Sequence, residues 1–141
     1  MKNRVKQLTD AVLSGKKIST LFESEEPQIT MNPYVIPVNN DAQSNTEFRK
    51  ILWTGAYLQL TTMSIPVGGS VGLELHEDTD QLLRVEQGDA KVLFGSTEEL
   101  GEEGYLHVGD AFLVPAGTWH DVVNTGDIDL KLSSVYAPPH H

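Results

Sequence analysis

Cysteine is absent from this chain of 141 residues. That absence excludes disulfides, thiolate zinc sites and cysteine nucleophiles together, so any metal must sit on imidazole, carboxylate or amide oxygen. Basic residues are scarce as well: 10 Lys and Arg stand against 20 Asp and Glu, a net charge of -10. Such a surface repels phosphate backbones and anionic lipid, which argues against nucleic acid and membrane partners. No apolar run reaches the roughly eighteen residues that a membrane helix needs. The basic opening, MKNRVKQLTDAVLSGKK, lacks a continuous apolar stretch of the signal-peptide kind, and a cytoplasmic location is the expectation.

What is present suits one folded domain: 39% hydrophobic and 21% charged residues, in a length that supports a single core. Val5, Leu8, Val12 and Leu13 share one face of a short helix that Gly15 could end. Residues 16–33 hold Pro27 and Pro33 without sustained periodicity and read as an extended connector. From Tyr34 the texture changes to short runs rich in Val, Ile, Leu, Thr and Tyr. Strands are expected at Tyr34–Val38, Phe48–Thr54, Tyr57–Ile65, Val71–His76, Gln81–Gln87, Ala90–Phe94, Tyr105–Val108, Ala111–Val114, Trp119–Asn124 and Leu130–Tyr136. Many short strands with frequent turn signals imply an all-β sandwich or barrel. Gly68-Gly69, Gly88-Asp89 and Pro115-Ala116-Gly117 mark tight turns and are hairpin candidates. The stretch 95–104, GSTEELGEEG, reads as a solvated loop.

Two blocks stand out by their spacing. The first, GGSVGLELHEDTDQLLRVEQG, sets Gly68, Glu74, His76, Gln81 and Gly88 in the order G-x5-E-x-H-x4-Q-x6-G. The second, GDAFLVPAGTWHDVVN, sets Gly109, Pro115, Gly117, His120 and Asn124 in the order G-x5-P-x-G-x2-H-x3-N. Together they resemble the two signature motifs of the cupin superfamily, usually G-x5-H-x-H-x3,4-E-x6-G and G-x5-P-x-G-x2-H-x3-N. The second matches at every defined position. The first matches in spacing but carries Glu74 where a histidine is usual and Gln81 where a glutamate is usual. The resemblance extends over about residues 31–137 and implies a double-stranded β-helix, the cupin jelly-roll barrel. It divides the chain into a helical and extended N-terminal arm, 1–30, and a cupin domain, 31–141.

Strand alternation supports a metal site alongside the resemblance. Glu74 and His76 share one face of a strand while Leu73 and Leu75 point away. In the cupin arrangement His120 closes the cluster. The set Glu74, His76, Gln81 and His120 carries the same formal charge as the usual three histidines and one glutamate. Glu74, His76 and His120 alone make a two-histidine, one-carboxylate set suited to one divalent ion, with Fe, Mn, Zn and Ni all open. Gln81 either ligates directly or hydrogen-bonds a bound water. A carboxylate such as Glu74 is costly inside a barrel without a cation.

Around this set, Trp53, Tyr57, Gln59, Thr61, Met63 and Trp119 are candidates for lining a substrate pocket, with core packing the alternative for each. His107 reads as a strand residue, and His140 and His141 carry no assignment. The resemblance implies a homodimer, which fits outward Leu73 and Leu75, since apolar residues on that face need covering by another sheet, the N-terminal arm or a second subunit. For function it implies a metal-dependent enzyme acting on a small polar molecule, isomerase- or dioxygenase-like, or else a non-catalytic small-molecule or sugar-sensing binder. Small cupins of this kind are similar to those called mannose-6-phosphate isomerase-like. Phosphate recognition, however, wants a basic side chain in the pocket, and Arg84 and Lys91 face outward by alternation.

Overall fold

Alternation of buried and exposed side chains organises the chain from Arg49 onward. The computed structural model describes residues 32–139. The helix expected over Val5–Leu13, nearly all of the 16–33 connector, His140 and His141 lie outside them. The elements in order are α1 (Val38–Ser44), β1 (Arg49–Thr54), β2 (Gln59–Ile65), β3 (Asp80–Gln87), β4 (Ala90–Gly95), β5 (Glu102–Leu106), β6 (Ala111–Val114), β7 (Trp119–Asn124) and β8 (Leu130–Ala137). A five-stranded sheet runs β1-β2-β8-β3-β6 and a three-stranded sheet runs β5-β4-β7. All ladders are antiparallel. This is the expected double-stranded β-helix.

The winding explains one departure from the sequence reading. The turns at Gly68-Gly69, Gly88-Asp89 and Pro115-Ala116-Gly117 are corners between the two sheets, because the strands that they join do not pair. Their chemistry is nonetheless that of tight turns. Gly68 and Gly117 have φ of 80° and 85° and sit one residue before the amides that close the turns, Gly69 N to Pro66 O and Thr118 N to Pro115 O. At Gly88 the backbone also approaches closely: a Cβ would lie 3.2 Å from Asp129 O.

Three other expectations change. Tyr34–Val38 is not a strand; the chain enters α1 after Pro37. The expected loop 95–104 gives way to β5 at Glu102, since an edge strand tolerates glutamates on its solvent side. Val71–His76 is reduced to two isolated bridges to β7, Ser70 to Val123 and Glu74 to His120. Between the bridges this segment advances one residue more than β7, a bulge centred where Gly72 takes φ 97° and donates its N–H to Asp121 Oδ1 at 2.9 Å.

The apolar core fills one end of the barrel with Met63, Ile65, Val85, Val122, Leu130 and Leu132, and Leu83 and Val114 extend it into rows shared with polar residues. Each such side chain contributes about 1.5–3 kcal/mol by leaving water. Toward the other end the inward rows turn polar. Thr54, Gln59, Tyr136 and Gln81 stand opposite one another across four strands, next to the row that contains Thr61 and Ser134. All six are buried. Asn124 locks the corner before β8, donating to Ile65 O and Ile128 O and accepting from Gly126 N.

The outer face of the large sheet is divided too. α1 packs on β8, β2 and β3. Beneath it lie Glu86, held by Asn39, Arg84 and Ser133, and the buried Lys131, held by Asn45 O and Ser64 Oγ. Beyond the helix, an apolar row crosses all five strands in register: Trp53, Leu60, Val135, Leu82 and Leu113.

Candidate metal centre

His120 lies on the inner face of β7, opposite Phe94 on β4, and is 1% exposed. Its Nδ1 lies 2.9 Å from Thr118 O. A carbonyl only accepts, so that hydrogen bond places the proton on Nδ1 and leaves the lone pair on Nε2. Burial holds the imidazole below its usual range, partly offset by the Thr118 hydrogen bond. A buried neutral imidazole with its lone pair turned inward is the form that binds a metal.

The bulge at Gly72 delivers Glu74 to this nitrogen. Glu74 exchanges both backbone hydrogen bonds with His120. Its Oε1 lies 3.7 Å from His120 Nε2 and 3.1 Å from His76 Nε2. Burial opposes ionisation of Glu74 but is outweighed by the His76 hydrogen bond, Arg49 and the two imidazoles, so the carboxyl titrates below its usual range. His76 is pinned through its carbonyl, which accepts from Gly117 N at 2.8 Å, and the same turn is tied by Ala116 N to Asp80 Oδ1. The second motif thus fixes the first.

Ligand atoms of Glu74, His76 and His120 all lie within 4.8 Å of one another. With metal–ligand bonds of about 2.0–2.2 Å, ligand atoms sharing an ion stand about 3–4 Å apart, so this group could hold one with little movement. His120 Nε2 has no hydrogen-bond partner among the described residues, as expected of a donor kept for something else. Gln81 behaves similarly. It is 4% exposed, its Nε2 donates to Ser134 Oγ at 2.9 Å, and its Oε1 is buried without a partner among the described residues. It stands opposite Tyr136, whose ring meets that of His76 edge-on at 5.6 Å.

The pocket candidates divide. Gln59 and Thr61 share the buried inner face with Gln81; Gln59 donates to Thr54 Oγ1, and Thr61 Oγ1 has no hydrogen bond among the described residues. Met63 shares that face but belongs to the apolar core. Trp53, Tyr57 and Trp119 are not brought to the cluster. A bulge between Ile51 and Trp53 turns Trp53 to the outer face beside Leu60. Tyr57 is 83% exposed in a turn. Trp119 alternates with inward His120 and so faces the other way.

Sequence reasoning missed Arg49 and Tyr136. Arg49 alternates with Ile51 on the inner face of β1, reaches Glu74 Oε2 at 3.4 Å, and lies over the Tyr136 ring at 5.6 Å. The site therefore has a basic side chain. Arg84 is indeed outward, paired with Glu86, and Lys91 pairs with Glu103. The signal for Tyr136 was the alternation Leu130, Leu132, Ser134, Tyr136. For Arg49 it was alternation with Ile51 at the head of a strand.

The cupin domain model matches residues 61–136, more than half of the chain. The chain belongs to the cupin family. It is 46% identical over 110 residues to the uncharacterized Bacillus subtilis protein YrkC, covering 77% of this chain and 59% of that one, so it spans about three-fifths of that relative's length. The crystal structure of BH2720 from Bacillus halodurans is similar with TM-score 0.76 and 47% identity, over 78% of this chain and 84% of that one. The structure of KdgF from Halomonas sp. is similar with TM-score 0.58 and 28% identity, over 65% of this chain and 80% of that one.

Proposed function

We propose that this cupin is a metal-dependent enzyme acting on a small polar molecule, with one divalent ion held by Glu74, His76 and His120 and by Gln81 through Oε1. The observation that carries this reading is the convergence of one carboxylate and two imidazoles, with His120 Nε2 left bare in the metal-binding tautomer. A bound divalent ion would supply Lewis acidity toward a substrate oxygen. The chain's own residues do the rest. Thr118 O orients His120, Ser134 turns the Gln81 carboxamide, and Gln59 and Thr61 add buried polar groups to the same inner face. Phe112 and Phe94 pack beside His120 and keep water from that flank.

Isomerase- and oxygenase-like chemistry both fit such a site, the former including the mannose-6-phosphate isomerase-like reading. Metal analysis of the purified chain, followed by oxygen-uptake and isomerisation assays across a metabolite panel, tests the proposal. Stoichiometric metal with turnover supports it. Stoichiometric metal without turnover in any assay assigns the alternative, a small-molecule or sugar-sensing binder. Absence of metal overturns both. A cytoplasmic location remains the expectation from sequence; among the described residues no helix is long and apolar enough to cross a membrane.

We also propose a homodimer built on the outer face of the large sheet. The row Trp53, Leu60, Val135, Leu82 and Leu113 lies beyond the cover of α1, with Leu113 68% exposed at the sheet edge. Apolar rows of this length on one face call for a covering partner.

A further inference from the structure

We propose that the ligand of this site is a small carboxylic acid bearing an oxygen on the carbon next to the carboxyl group, and that Arg49 binds its carboxylate. The inference rests on the metal reading above and names the substrate class for it.

Arg49 is placed for a ligand more than for the fold. It stands on β1, an edge strand, with its side chain 29% exposed. Its Nη2 meets Glu74 Oε2 at 3.4 Å, at the long limit for a hydrogen bond, the guanidinium also interacts with the Tyr136 side chain, and its Nε is buried without an acceptor among the described residues. A guanidinium offers five N–H donors in a planar fork matched to a carboxylate, and the Tyr136 ring beneath it fixes the plane. A buried unpaired N–H is costly, so the fork awaits an acceptor.

Charge selects the same kind of partner. A divalent ion on Glu74, His76 and His120 would stand beside the Arg49 guanidinium and make this region positive within a chain of net charge -10. An anion entering there neutralises charge that the protein does not. One guanidinium suits a monoanionic carboxylate better than a phosphate dianion, because the other basic side chains on nearby strands stand elsewhere: Arg84 with Glu86, Lys91 with Glu103, Lys131 beneath α1, and exposed Lys50 on the opposite face of β1 from Arg49. The neighbouring hydroxyl or carbonyl oxygen is what lets a carboxylate ligand also address the ion. Gln59 and Thr61 are buried on the inner face that also carries Gln81.

The test uses the full chain loaded with Ni2+, its metal content measured first, and calorimetric titration with glycolate, hydroxyacetone and inorganic phosphate. Wild type is expected to bind glycolate at least about tenfold more tightly than hydroxyacetone or phosphate. Arg49→Gln is expected to keep one equivalent of metal, lose about 10- to 100-fold in glycolate affinity, and change little toward hydroxyacetone. Arg49→Lys, which keeps the charge without the fork, should fall between them and guards against a folding defect in the first variant. Equal glycolate affinity in wild type and Arg49→Gln, or a preference for hydroxyacetone or phosphate in wild type, overturns the proposal while leaving the metal reading intact. Failure of wild type to take up metal overturns both.

Discussion

The Nδ1 of His120 lies 2.9 Å from the carbonyl oxygen of Thr118, two residues earlier on the same approach to β7. That single contact fixes the tautomer of the most deeply buried imidazole in the site and points its lone pair at Glu74 and His76. His120→Ala is therefore expected to lose most metal affinity. Gln81→Ala should lose less, about 10- to 100-fold, because a neutral amide oxygen is the weaker donor. Metal content after dialysis against a graded chelator checks the order; equal retention by His120→Ala and wild type contradicts it.

Gly72 should matter to the site although it touches no ligand. Its φ of 97° sits in the bulge that brings Glu74 to His120, and its N–H is held by Asp121. Gly72→Ala has room for the methyl group but must strain the backbone by about 1–3 kcal/mol or relax the bulge. We expect lowered thermal stability together with weakened metal binding. A variant that loses neither would show that the bulge does not position Glu74.

Glu86 predicts a pH dependence away from the metal. Burial raises its carboxyl, but hydrogen bonds from Asn39, Ser133 and Arg84 outweigh this, so it titrates below its usual range. A depressed folded-state value stabilises the fold above the unfolded value, and that contribution disappears as pH falls through the folded one. Glu86→Gln should accordingly lower the unfolding midpoint at neutral pH, with the gap to wild type closing below about pH 4. A gap independent of pH contradicts the assignment.

The outer apolar row yields a test of assembly. Leu82→Asp or Leu113→Asp should convert a dimer to a folded monomer, measured by sedimentation at micromolar concentration. A monomeric wild type removes the dimer proposal.

Much of this fold was legible because cupin motifs and strand alternation act locally. β6 and β7 begin and end where alternation and turn residues place them, at Ala111–Val114 and Trp119–Asn124. Glu74, His76 and His120 converge as the spacing implied. What was not legible depends on contacts distant in sequence. Helix α1, VNNDAQS, has weak intrinsic helix propensity and is held by Asn39 on Glu86 and by Asn45 on Lys131. The corner turns look like hairpin turns because the same glycine conformation serves either a return or a change of sheet. Trp53 faces outward through a bulge that no residue in RKILWT announces. Arg49 could be placed only once β1 was registered against Met63 and Thr61.

The most direct measurement is anomalous diffraction on crystals of the full chain grown with a divalent transition metal, recorded across that metal's absorption edge. The account predicts one strong peak bonded to the Glu74 carboxylate, His76 Nε2 and His120 Nε2. A chain that binds no ion, or binds it only away from these three side chains, contradicts it.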